Sequence, residues 1–137
     1  MKADIGVPLV GDVDFRGDCP KEGAEHITLV SWVRKHYPDT LGAVLIHPRN
    51  EGKRSYQKAA RYAVEGLTKG ASDFVIPCTP PICIELKRKD RTLSDITPEQ
   101  VEYIRTVNRM GGYACVALGW EAAAEFIQEC VDKGLTL

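Results

Sequence analysis

The stretch Asp73-Phe74-Val75-Ile76-Pro77-Cys78-Thr79-Pro80-Pro81-Ile82-Cys83-Ile84-Glu85-Leu86-Lys87 decides the fold. Residues 73–78 and 82–88 are two strand-like runs joined by Thr79-Pro80-Pro81, a hairpin-length connection. Pro77 has no backbone donor, so that end of the first strand is an edge or a bulge. Side chains alternate across a strand, which puts Glu85 and Lys87 on one face. A register set by the three-residue connection pairs Cys78 with Ile82, Val75 with Glu85 and Asp73 with Lys87. Asp73, Glu85 and Lys87 then converge, whereas a slip of one residue would send Asp73 to the other side.

Outward from this hairpin the chain reads as alternating elements. Residues 97–110 are predicted helical: Thr97 is the N-cap, Pro98 sits at N1, Gln100 completes a capping box and Gly111-Gly112 ends the helix. Residues 113–118 (YACVAL) read as a buried strand, and 120–133 as a helix stopped by Gly134. Upstream, Leu29, Val30, Val33 and Tyr37 recur at helical spacing, which predicts a helix over 21–37 closed by Pro38. Residues 43–47 (AVLIH) read as a short buried strand, 49–55 as a basic loop, 56–66 as a helix and 67–72 as a turn. Residues 1–20 show no clear period and read as an irregular arm ahead of a single domain, 21–137. The order α-β-α-β-β-α-β-α predicts an α/β protein, a mixed central β-sheet flanked by helices.

Composition limits the function classes. The chain has 137 residues, 44% hydrophobic and 27% charged, which fits one soluble domain with its own core. No apolar run approaches the roughly 18 residues of a membrane helix. The first residues lack the apolar core of a secretion signal, so a cytoplasmic protein is expected. Cys19, Cys78, Cys83, Cys115 and Cys130 have uneven spacing, which predicts free thiols and no zinc site. Asp12, Asp14 and Gly17 brush against a calcium-loop pattern, but Arg16 and Gly23 stand where ligands belong. The net charge of −1 hides an uneven distribution: −2 over residues 1–48, +5 over 49–91 and −4 over 92–137. A basic island of that kind suits a phosphate-bearing partner.

Two carboxylates and an ammonium on one sheet face are poor material for a core. They make sense around a divalent cation. Mg²⁺ prefers oxygen ligands and retains waters, so Asp73, Glu85 and the Leu86 carbonyl would leave room for a phosphate oxygen. Lys87 would orient or deprotonate water, or neutralise charge building on phosphorus. Glu25 precedes Leu29 by four residues and Trp32 by seven, so it borders the sheet-facing side of the first helix and offers a third acid. Glu22, one turn earlier, is a rival. His26, His36 and His47 have no metal spacing and read as surface or packing residues, with His47 near the basic loop.

Asp73 followed by Glu85-Leu86-Lys87 resembles the D-x(n)-E-x-K core of the PD-(D/E)XK nuclease superfamily, with Ser72 where that motif often has Pro. More narrowly, the chain resembles the stand-alone, phage-type VRR-NUC domain over roughly residues 21–133. The resemblance runs through Glu25, the His47-Pro48-Arg49-Asn50-Glu51-Gly52 loop, Glu65 to Asp73, Ile84 to Lys87, Ser94 to Gln100, and Gly112-Tyr113 to Gly119-Trp120-Glu121. It implies a restriction-endonuclease-like fold, with Glu25, Asp73, Glu85 and Leu86 holding Mg²⁺ or Mn²⁺. Lys87 would be the catalytic lysine, Gln100 an additional active-site residue, and Gly66 and Gly70 would shape the turn into Asp73. It further implies a homodimeric endonuclease of the Holliday-junction-resolvase type, cutting branched DNA in phage or bacterial recombination and repair. Other nuclease activities on the same scaffold (nickase, flap or exonuclease) and a non-catalytic DNA-binding module are the alternatives. Near a metal site, Arg49, Lys53, Arg54, Lys58, Arg61, Lys69, Arg88, Lys89 and Arg91 are expected to track the DNA backbone. Such contacts predict structure-selective rather than sequence-specific cutting.

Overall fold

In chain order the elements are β1 (Leu9–Val10), α1 (Glu22–His36), α2 (Leu41–Val44), α3 (Tyr56–Val64), β2 (Phe74–Ile76), β3 (Ile82–Lys87), α4 (Pro98–Arg109), β4 (Tyr113–Leu118) and α5 (Trp120–Lys133). A 3-10 turn, Arg91–Leu93, links β3 to α4. The structure, a computed structural model, describes residues 4–48 and 56–137. Its sheet has four strands in the order β1-β4-β3-β2. β4 runs parallel to β1 and β3, and β2 runs antiparallel to β3. The expected mixed sheet flanked by helices is what forms.

The parallel pair β3 and β4 needs a crossover, and α4 supplies it. The helix packs Ile104 with Cys83, Ala114 and Val116 on one face of the sheet. On the other face Leu29 and Val33 of α1 and Ala123, Ile127 and Cys130 of α5 meet Phe74, Ile76, Ile82, Ile84 and Leu86. β3 is buried at all six positions, as expected of a central strand covered on both faces. Glu85 and Lys87 alternate with Ile84 and Leu86, so they lie on the α4 side.

Three expectations are corrected. First, β2 and β3 pair as Phe74↔Ile84, Val75↔Cys83 and Ile76↔Ile82. This shifts the expected register by two residues, because the connection takes five residues, 77–81, not three. Within it the Cys78 N–H turns back onto the Ile76 carbonyl, 2.9 Å away. An even shift preserves faces, so Asp73 stays with Glu85 and Lys87; continued by one residue, this register sets Asp73 across from Glu85.

Second, residues 43–47 are not a strand. The chain forms α2, and Ile46 alone bridges Val75, exchanging two 2.8 Å backbone hydrogen bonds. Leu41 is buried and Leu45 packs on the core, while Val44 and Ile46 stay exposed. Burial at i and i+4 is the helical period, and it overrides the apolar run.

Third, the arm is not wholly irregular. Leu9 and Val10 pair with Val116 and Ala117 of β4, and Ile5, Val7 and Leu9 pack beside Ile104 and Val116. The arm thus covers the β4 edge, which would otherwise expose unpaired backbone. Ile5, Val7 and Leu9 alternate with period 2, the strand signal of this segment.

All five cysteines are free. Burial pushes the Cys130 thiol up to about 12, so it behaves as a small apolar residue. Among the described residues no helix is long and apolar enough to cross a membrane.

Candidate active site

β3 delivers the acidic residues to a gap at its β2-side edge. Ile82 and Ile84 spend their backbone groups on β2, but β2 begins only at Phe74. Leu86 has the same parity, so its N–H and carbonyl point to the same side, past the end of β2. The Asp73 side chain fills the gap: its Oδ2 accepts the Leu86 N–H at 2.9 Å. The Leu86 side chain meanwhile anchors the strand, fully buried in the core.

Glu85 stands beside Asp73 and is 2% exposed. Its Oε1 accepts from Gln100 Nε2 at 2.8 Å and lies 3.3 Å from Lys87 Nζ. Its Oε2 is buried with no hydrogen-bond donor among the described residues. Burial and the negative charge of Asp73 raise the Glu85 carboxyl to about 8, against the pull of Lys87. A carboxylate that must lose a proton to act, pressed against another, is a site short of positive charge.

α4 contributes Gln100 by way of its own cap. Thr97 Oγ1 accepts the Gln100 N–H at 3.1 Å, and Gln100 Oε1 accepts the Thr97 N–H at 2.9 Å. This reciprocal cap fixes the amide so that its NH₂ faces Glu85. The sequence pattern predicts the cap and the family resemblance implies a site contact; one side chain makes both contacts. The turn before Asp73 packs on the same helix start. Gly70 has φ +83°, and a Cβ there would meet the Glu99 carbonyl at 2.5 Å.

Two histidines join the site that sequence reasoning had assigned to surface or packing. His26 Nε2 lies 3.6 Å from Asp73 Oδ2. His47 Nδ1 donates to the Asp73 carbonyl, which fixes that tautomer. Both rings also pack on Phe74. The Ile46–Val75 bridge is what brings His47 there, and no spacing in the sequence signals it.

Glu25 is not brought to Asp73 and Glu85. It is 2% exposed, and its Oε2 accepts the Trp120 N–H at the start of α5. Burial, with Glu121 adding to it, holds its carboxyl above the usual range against the Trp120 hydrogen bond, Lys89 and His26. An acid at a helix N-terminus is stabilising in its own right. Glu22 accepts from Ser94 Oγ at 3.3 Å instead. Among the described residues, no three His, Cys, Asp or Glu side chains are grouped to hold a metal. The oxygens that could hold a metal here are the Asp73 and Glu85 carboxylates and the Leu86 carbonyl, and Glu85 Oε2 is buried without a hydrogen-bond partner. Hard oxygen donors of this kind fit Mg²⁺ or Mn²⁺.

No family model matches the sequence, and no curated protein does. A solved structure described as a VRR_NUC domain protein does match: TM-score 0.70, 22% identity, covering 86% of this chain and 92% of that one. The fold is that of a VRR_NUC domain protein.

The basic residues divide into groups. Arg49, Lys53 and Arg54 lie outside the described residues. Lys58 is exposed on α3, and Arg61 pairs with Glu65 at 3.1 Å. Lys69 pairs with Glu99 at 3.3 Å. Lys89 lies 4.7 Å from the Phe15 ring centroid and 4.0 Å from Glu121. Arg88 and Arg91 hold the arm. Arg88 donates to the carbonyls of Cys19 and Pro20, and Arg91 to that of Val13. Asp90 between them accepts the Gly17 N–H at 3.1 Å.

Proposed function

We propose that this chain is a divalent-metal-dependent DNA endonuclease, acting selectively on branched DNA as a homodimer. The observation that supports it is Glu85, buried against a second carboxylate with one oxygen unpartnered and an ammonium and an amide on the other. Asp73, Glu85 and the Leu86 carbonyl would hold Mg²⁺ or Mn²⁺. The bound ion would supply Lewis acidity toward a phosphate oxygen and the attacking water. Gln100 fixes the Glu85 carboxylate. The Leu86 N–H and His47 fix Asp73 at its side chain and its main chain. Lys87 presents a positive charge on the same face, where negative charge builds as the phosphodiester is attacked. Exposed Lys58 and Lys69 carry part of the basic island, and contacts of that type hold the backbone without reading sequence.

The test is incubation with a synthetic four-way junction, a flap and a duplex, in Mg²⁺, Mn²⁺ or EDTA. The junction is expected to be cut with either metal and left intact in EDTA. Faster cutting of the flap or duplex would assign a different nuclease activity to the same site. Binding without product under every metal would make the chain a non-catalytic DNA-binding module. Sedimentation showing single chains only, at micromolar concentration, would remove the dimer.

A further inference from the structure

Beside Asp73 opens a groove of about 510 Å³. One wall is a stripe of α1: Ile27, Val30, Ser31 and Arg34 stand at i, i+3, i+4 and i+7, one face of a helix. The opposite stripe, Glu25, Leu29 and Val33, is buried against the fold. Ile27 is 73% exposed at the rim, so the Ile27 end of the stripe is apolar without being buried. His26 and His47 face the groove from the other wall, backed by Phe74, which is 1% exposed. Their ring centroids lie 5.1 Å apart in every pairing, with His47 stacked on Phe74 and His26 edge-on to both.

We propose that this groove binds one unpaired nucleotide of the DNA, its base against the ring cluster and Ile27, its phosphate toward Arg34. Three observations select that occupant. The volume is that of a small-molecule site. Flat rings and aliphatic carbon beside a guanidinium match a nucleotide, which has a π-face at one end and a negative charge at the other. The groove also adjoins the proposed cleavage site, since His26 reaches Asp73 Oδ2 and His47 holds the Asp73 carbonyl. A nucleotide splayed from a branch point would thus lie next to the phosphodiester to be cut. The placement beside a cleavage site rests on the function proposed above; the chemistry of the groove does not.

The test uses the full chain and a single-stranded oligodeoxynucleotide carrying one 2-aminopurine, in Ca²⁺. Stacking in the groove is expected to quench the 2-aminopurine fluorescence. Ile27→Asp is expected to weaken binding about tenfold, and Arg34→Ser severalfold. Both positions are exposed, and thermal melts would verify that each variant folds. Unquenched fluorescence, or wild-type affinity in both variants, would overturn the inference. So would a wild-type dimer that Ile27→Asp splits into single chains, since the groove would then be an interface between copies. Junction cleavage by wild-type protein without quenching would sink the groove and leave the nuclease standing. Quenching lost in Ile27→Asp, with no cleavage by wild-type protein under any metal, would do the reverse.

Discussion

Glu85 carries the largest consequence at the scale of a single residue. Its folded value of about 8 stands above the ordinary 4.5. Between those two values the folded chain keeps a proton that the unfolded chain has already lost. The Glu85 contribution to the stability of metal-free protein therefore falls as pH rises from about 4.5 to 8, and is constant outside that window. Melting in EDTA at successive pH values should show this decline, and Glu85→Gln should flatten it. Mn²⁺ should raise the melting temperature most near pH 8, where Glu85 is free to give up its proton. Lys87 bears on chemistry more than on stability. Lys87→Ala should abolish cleavage and leave DNA affinity within about tenfold, roughly 1.4 kcal/mol. Wild-type turnover by that variant would take Lys87 out of the mechanism. The convergence of Asp73, Glu85 and Lys87 was readable from strand parity alone, which a two-residue register error cannot disturb. The histidines were not readable, because a contact to a main-chain carbonyl or across an isolated bridge leaves no periodic trace.

At the scale of elements, α4 and its neighbouring turn form one unit. The helix was legible from Thr97 to Gly112, since its start and stop signals are local and its apolar stripe agrees with them. α2 was not legible. Four residues carry too little period to distinguish from a strand, and the packing of Leu41 and Leu45 decides the matter from outside the segment. The arm failed for a related reason: its alternation is short, and its partner β4 lies more than one hundred residues later. The Gln100 amide gives this unit a test. Thr97→Ala removes the cap and should cost about 1 kcal/mol of stability. Gln100→Ala also removes a donor from Glu85, so it should cost a similar amount of stability and lower the cleavage rate far more. Equal rates in the two variants would show that Gln100 is a cap and nothing else. Gly70→Ala belongs to the same unit. A methyl group 2.5 Å from the Glu99 carbonyl must push the turn off α4, and Asp73 with it. Lower melting temperature and lower activity should appear together.

Across the whole molecule, the arm and the basic island are coupled. Asp90 lies just beyond the end of β3, and Arg88, Asp90 and Arg91 bind arm backbone at Val13, Gly17, Cys19 and Pro20. The same guanidinium groups count toward the +5 charge of residues 49–91, which suggested a DNA-facing role. The two roles predict different signatures. A phosphate contact contributes close to one unit of slope to the dependence of log affinity on log salt, and nothing to stability without DNA. A clasp on carbonyls contributes to stability, because its loss removes hydrogen bonds from a charged donor and loosens β1 from the β4 edge. The guanidinium nitrogens sit at 2.7–3.1 Å from those carbonyls, so the clasp should dominate. Arg88→Ala and Arg91→Ala should each lower stability by about 1–2 kcal/mol and leave the salt slope of DNA binding nearly unchanged. Lys58→Ala, from an exposed position on α3, should do the opposite. If the arginine variants melt like wild type but bind DNA with a flatter salt slope, these guanidinium groups serve the substrate and the arm is held by β1 alone.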